Sequence, residues 1–292
     1  MKIILFIILF TSGFIFSQSQ EELLNQAYEQ KSYVLLDKFF ENWRMEKTPI
    51  TDEEYQKLSD VEKDVYDIFY EFYNPKDLSN LKLEKFEYDY YKDVKYFILK
   101  STIKYRIIIS DNYDSLLIPY RKKYSADSSF RTSIFYENSK NFKIDDFRYD
   151  FIYDELFYNY SLKDSIKNFR PKIKNKTAGL LILNKGYEQI ISNFLGNDIV
   201  PLGTNSIMQT AYADSISELK IEFLENYIFL MPEHWGQYWE IQTSPKIKYI
   251  DFNSIRTKAR IYYKFPYHDN YSFFEKIKGR WIFIKDIFHA LW

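Results

Sequence analysis

From Glu21 to Arg44 the apolar residues Leu24, Tyr28, Leu35, Phe39 and Trp43 return at helical spacing among Glu, Lys and Gln, which predicts one amphipathic helix. Thr51 with Glu54, and Ser59 with Glu62, match the capping box, in which a hydroxyl and a carboxylate satisfy each other's backbone N–H groups. Tyr66, Phe69, Tyr70 and Tyr73 carry the helical stripe to a stop at Asn74-Pro75. Such stripes read as core rather than as ligand sites, so the chain opens with a helical part. Past Pro75 the period falls to two. Phe86, Tyr88 and Tyr90 alternate with charged residues, and β-rich runs follow over 94–110 and 132–136. The aromatic stretch 147–160 fits either a twisted edge strand or a helix.

Further along, 180–183 reads as a short buried strand and 187–195 as a helix. Ser215 with Glu218 opens another helix, whose stripe of Ile216, Leu219, Phe223, Tyr227 and Leu230 ends at Pro232. Strand patterns then dominate: 238–242, 246–252, 259–265, 272–277 and 280–288. Lys278-Gly279 joins the last two as a hairpin. Trp281, Phe283, Ile287 and His289 share a parity there, which predicts a buried Trp281 and an inward His289. The whole is an α+β chain with an N-terminal helical part, a central β-rich part, and a C-terminal helix plus curved antiparallel sheet.

The 292 residues suggest two domains, at about 150 residues each. A break is expected in the basic segment 163–176, where Lys163, Lys167, Arg170, Lys172, Lys174 and Lys176 face only Asp164. This gives a helical hairpin and β-rich module over 20–176 and an α+β module over 177–292. The basic segment itself reads as a solvated connection, the usual fate of a charge run, or as an anionic-surface contact. Residues 1–19 are expected to be a signal peptide: Lys2, then an apolar run from Ile3 to Phe16, then small residues at Ser17 and Ser19. The run is shorter than the roughly 20 residues a spanning helix needs, so no membrane span is expected after its removal. The mature protein is expected to be exported, periplasmic or secreted.

Composition narrows the chemistry. With no Cys there is no disulfide, thiolate nucleophile, Cys-held metal or lipid anchor on Cys. Lys and Arg total 40 against 41 Asp and Glu, so no global field favours nucleic acid as a partner. Of the seven glycines, none lies between Gly13 and Gly179, and neither half carries a phosphate-cradling Gly-rich loop. No G-x-S-x-G elbow occurs. The three histidines, His234, His268 and His289, match no metal spacing, so neither a metal nor a cofactor is expected. Aromatic residues reach 20%, enough to supply stacking platforms for sugars, although most fall at periodic core positions.

The tail, running from Ala259-Arg-Ile-Tyr-Tyr-Lys-Phe265 through Phe273-Phe274-Glu275-Lys276 to Gly279-Arg280-Trp281-Ile282, resembles the end of secreted NTF2-like modules. Together with 233–239 it also looks like a group of exported bacterial proteins. The resemblance covers about residues 215 to 292 and implies a curved sheet over helices. It transfers no catalytic residue, because the Asp-His or Tyr-Asp pairs of NTF2-like enzymes have no matching motif here.

If the C-terminal module binds a ligand, the segment after Pro232 is the expected place. Glu233, His234, Trp235, Tyr238 and Trp239 gather a carboxylate, an imidazole and three aromatic rings at a helix-to-strand turn. The same rings fit a plug at the end of the sheet. The expected function is a non-enzymatic binding or interaction protein of the bacterial cell envelope, taking a small ligand, a glycan or an envelope protein. The alternative is a cofactor-free hydrolase acting on a glycan or other extracellular polymer, which needs only two suitably spaced carboxyl groups.

Overall fold

A computed structural model describes residues 20–81, 83, 89–108, 161–196, 215–232, 239–265 and 268–291. The expected leader, the strand pattern at 132–136 and the ambiguous stretch 147–160 lie outside them. The helices are α1 (residues 20–29), α2 (Tyr33–Glu46), α3 (Asp52–Gln56), α4 (Asp60–Phe72), α5 (Lys185–Leu195) and α6 (Ser215–Leu224). The strands are β1 (Tyr96–Lys100), β2 (Ile103–Ile108), β3 (Ser161–Ile166), β4 (Gly179–Leu183), β5 (Met231–Pro232), β6 (Trp239–Glu240), β7 (Lys246–Phe252), β8 (Lys258–Phe265), β9 (His268–Ile277) and β10 (Arg280–Leu291). The protein is α+β.

The single helix expected over 21–44 is two. Lys31 takes a left-handed φ of 48°, and Ser32 caps the next helix by accepting from the Leu35 N–H. The stripe alone does not show this, because both helices turn their apolar side to the same core. Both capping boxes form as the sequence predicts, at Thr51/Glu54 and Ser59/Glu62. The helix opened by Ser215 ends sooner than its stripe, at Leu224. Tyr227 and Leu230 are buried beyond it, while Ile216 and Leu219 are exposed.

Two apolar cores share one wall. β1 and β4 form a parallel two-stranded sheet buried on both faces, which explains why Leu180 to Leu183 is a continuous apolar run. Period two divides its side chains: Phe97, Leu99, Leu180 and Ile182 enter one core, whereas Tyr96, Ile98, Leu181 and Leu183 enter the other. The second core is closed by α1, α2 and α5, where Trp43 stacks on Tyr187 at 4.4 Å and donates its indole N–H to the Ile182 carbonyl at 3.0 Å.

The first core lies between α4 and a six-stranded sheet of order β10-β9-β8-β7-β2-β3. Only β2 and β7 run parallel; the other neighbours are antiparallel. Val65, Ile68, Phe69 and Phe72 of α4 meet Ile250, Ile261, Tyr263 and Phe274 of the sheet. Helix and hairpin are also tied by charge: Asp64 of α4 accepts the Trp281 indole N–H at 2.9 Å and pairs with Arg256 and Lys276. Trp281 is therefore buried, as its place after Gly279 predicts.

The parity does not continue as expected. A β-bulge between Phe283 and Lys285 inverts β10, so that Asp286 rather than Ile287 takes the inward position. The His289 side chain lies outside the described residues. Lys278 and Gly279, with φ of 50° and 79°, make the two-residue turn that matches the twist of a hairpin.

Candidate functional site

Of the residues expected to form a site, Glu233, His234, Trp235 and Tyr238 lie outside the described residues. Trp239 is half-buried on β6, paired across the strand with Pro232, and packs against the second core. His268 is buried on β9 with Nδ1 3.1 Å from Asn270 Oδ1. Among the described residues no three His, Asp or Glu side chains are grouped as a metal would need.

The structure draws attention to the face of the six-stranded sheet turned away from α4. Alternation in β8 sends Ala259, Ile261, Tyr263 and Phe265 to the core and leaves Arg260, Tyr262 and Lys264 for the other side. A bulge between Ile247 and Tyr249 sets Tyr249 of β7 opposite Tyr262, and Tyr262 lies opposite Tyr271 of β9. None of these outer residues belongs to either core.

Three tyrosines on three adjacent strands thus stack as a row. Ring centroids are 4.9 Å apart for Tyr249 and Tyr262, and again 4.9 Å for Tyr262 and Tyr271. Cross-strand aromatic pairs of this kind are a unit of sheet stability, each contributing roughly 0.2–1 kcal/mol. A guanidinium closes each end: Arg106 lies 3.6 Å from the Tyr249 centroid and Arg260 lies 4.6 Å from that of Tyr271.

Asp251 joins the two ends. Arg106 donates two bonds to it, Nε to Oδ1 at 2.6 Å and Nη2 to Oδ2 at 2.8 Å, and Arg260 Nε donates to Oδ2 at 2.8 Å. The register makes this possible, since Arg106 of β2 lies beside Asp251, which lies opposite Arg260. Arg106, three tyrosines, Arg260 and Asp251 therefore form a closed ring of contacts. Burial works against the Arg106 charge, but the Asp251 carboxylate outweighs it and raises the guanidinium pKa further. Two-pronged guanidinium–carboxylate contacts of this kind also fix the plane of the guanidinium.

Because the rings pack on one another, their faces are taken up within the row. The Tyr262 hydroxyl donates to Asp269, a buried carboxylate of β9. Burial is graded: Tyr271 and Arg260 are fully covered, Tyr249, Tyr262 and Arg106 half-buried, and Lys104 and Lys248 exposed. The accessible end of the ring is therefore the β2–β7 side.

On the core face of the same strands lies a second polar group. Asp286 accepts from Ser272 Oγ at 2.5 Å, from Tyr263 Oη at 3.1 Å and from Asn270 Nδ2 at 3.2 Å. Asn270 also donates to Tyr263 Oη at 2.9 Å. Burial, reinforced by Asp286, holds the Tyr263 phenol far above its ordinary range and so in the protonated, donating form. With both Asp286 oxygens engaged, this network stitches β8, β9 and β10 together.

No single pattern announced either group. The nearest signal was the alternation of Arg260, Tyr262 and Lys264, whereas the Arg106–Asp251 pairing spans 145 residues. Compared with known proteins, the chain matches no family model, no curated protein and no solved structure.

Proposed function

We propose that the chain is a non-enzymatic binding module of the bacterial cell envelope, and that its ligand surface is the outer face of the six-stranded sheet. The closed ring of Arg106, Tyr249, Tyr262, Tyr271, Arg260 and Asp251 carries this reading. Its stacked rings and shared carboxylate hold phenol edges and a guanidinium in fixed positions, so little ordering is left to be done on binding. A ligand rich in hydroxyls, such as a glycan, suits donors and acceptors set at the edge of apolar rings. An NTF2-like arrangement of residues 215 to 292 goes with this reading, since a meander of β7 to β10 with bulges is a device for bending a sheet. So does export, on the leader expected at 1–19.

The test is calorimetric titration of the full-length chain with soluble oligosaccharides, neutral and charged. Wild type is expected to bind at least one of them, and Tyr262→Ala to lose that binding while keeping a cooperative unfolding transition. Absence of binding across the panel overturns the reading. The hydrolase alternative is favoured by one observation, the buried Asp286 with its three donors. Release of reducing ends by wild type, abolished in Asp286→Asn, replaces the binding reading with that one.

A further inference from the structure

The accessible end of the outer face carries a concentration of positive charge that the whole chain does not. The formal net charge is −1. Yet Lys104 of β2, Lys248 of β7 and Lys264 of β8 come together with Lys100 at the end of β1, close enough for three of these charges to act on the fourth, Lys248. Among the described residues none of the four forms an ion pair. Lys100, Lys104 and Lys248 are exposed and Lys264 is half-buried.

Folding alone gives no reason for this gathering. Like charges placed on neighbouring strands oppose one another. The cost shows on Lys248, the extra residue of the β7 bulge. Its ammonium is pushed below the usual lysine range, first by lost hydration and then by the Lys264 charge. Asp269 pulls the other way, and Lys100 and Lys104 add to the fall.

We propose that this end of the face binds an acidic polysaccharide, its carboxylates lying across Lys104, Lys248 and Lys264 while its hydroxyls meet the half-buried edges of Tyr249 and Tyr262. The inference rests on the reading of the outer face as a binding surface and names its ligand class. Three properties of the protein select that class. The lysines lie on adjacent strands β2, β7 and β8, a span of about 10 Å at the ~4.8 Å spacing of strands, so they suit repeated anions rather than one small ion. Beside them stand the half-buried phenols of Tyr249 and Tyr262, and beneath these the buried Asp269 carboxylate, whose charge disfavours a densely anionic phosphodiester chain. The remainder of the molecule supplies no general positive field, which a dedicated nucleic-acid binder normally has.

The test titrates the full-length protein with polygalacturonate, with an uncharged dextran or β-glucan oligosaccharide, and with single-stranded oligothymidylate. Polygalacturonate is expected to bind, with affinity falling as salt screens the contact. The triple variant Lys104→Ala, Lys248→Ala, Lys264→Ala is expected to bind it at least about tenfold more weakly, with an unchanged or higher thermal midpoint. Lys172→Ala with Lys174→Ala, far along the chain from this face, is expected to bind as wild type does.

Three outcomes overturn the proposal. Binding of a neutral glycan without preference for polygalacturonate removes the acidic class but leaves the outer face as a binding surface. Oligothymidylate bound as tightly as polygalacturonate transfers the site to nucleic acid. No binding of any of the three removes both the ligand class and the reading beneath it.

Discussion

Two regions of this protein collect lysine and arginine, and they treat the charge in opposite ways. In the segment that follows β3 three of the five cations meet a carboxylate of the helices, while Lys167 and Lys176 at its two ends stand exposed. Arg170 reaches Glu54 at 2.7 Å, Lys172 reaches Asp52 at 2.5 Å and Lys174 reaches Glu71 at 2.6 Å. Those acids belong to α3 and α4, so the basic run is a strap that binds the helices to the chain leaving the sheet. Among the described residues Lys104, Lys248 and Lys264 of the outer sheet face, and Lys100 at the end of β1 beside them, form no ion pair, while Arg106 and Arg260 share Asp251. The middle of a run of like charges in sequence proves to be neutralised by acids far off in the chain, whereas cations scattered over 165 positions converge on one surface. Charge density along the chain is thus a poor guide to charge density in space.

The largest break in the comparison comes from Asp251, the one carboxylate that the two outer-face guanidinia share. Asp251→Ala removes the buried carboxylate that accepts from both Arg106 and Arg260, and losing one member of a buried ion pair typically costs about 3–5 kcal/mol. Asp251→Asn keeps the shape and one acceptor and is expected to cost less. Urea unfolding of both variants checks this. If Asp251→Ala unfolds at the wild-type midpoint, the ring does not hold the face.

The strap gives a smaller effect with an internal gradient. Arg170 is the best buried of its cations, with a side chain 18% exposed, and it serves more than one partner. Nη2 meets Glu54, Nη1 donates to the Thr48 carbonyl at 3.2 Å, and its backbone N–H donates to the Tyr66 hydroxyl. Arg170→Ala is expected to cost about 1–2 kcal/mol, in the range of hydrogen bonds to charged groups. Lys172 is paired in the open, its side chain 52% and that of Asp52 87% exposed. Lys172→Ala is therefore expected to cost no more than about 0.5 kcal/mol. Thermal denaturation in parallel tests the order, and equal losses for the two would show that burial does not set the strength of the strap.

The same contrast explains how far the sequence could be read. Local chemistry was legible: the capping boxes at Thr51/Glu54 and Ser59/Glu62, the turn at Lys278-Gly279 and the buried Trp281 each depend on residues a few positions apart. The break at Lys31 was not, because a left-handed residue between two helices leaves the apolar stripe intact. The inversion after Phe283 was not either, since a bulge adds one residue without changing the composition of the strand. The outer-face ring needs β2 beside β7, a parallel pairing that no turn signals. The segment 233–239 stood out because its rings are crowded in sequence. Arg106, Tyr249, Tyr262 and Tyr271 are crowded only in space.

The smallest effect is the most specific to the outer face. Lys248 has a folded pKa below its unfolded value of 10.5, so its ammonium costs stability wherever it is charged in both states. As pH rises through the folded pKa towards the ordinary lysine value, the unfolded chain holds more protons than the folded one. Stability from this group therefore rises with pH over that window, and above it the cost is gone. Lys248→Met removes the group at every pH. The variant is expected to be the more stable near neutral pH, and its advantage over wild type to shrink as pH climbs into the lysine range. Adding about 1 M salt at neutral pH is expected to shrink only the part owed to Lys264, Lys100 and Lys104, because screening acts on charge pairs and not on lost hydration. A difference between the two proteins that stays flat with both pH and salt would show that these lysines do not repel one another. The outer face would then be no less neutralised than the strap.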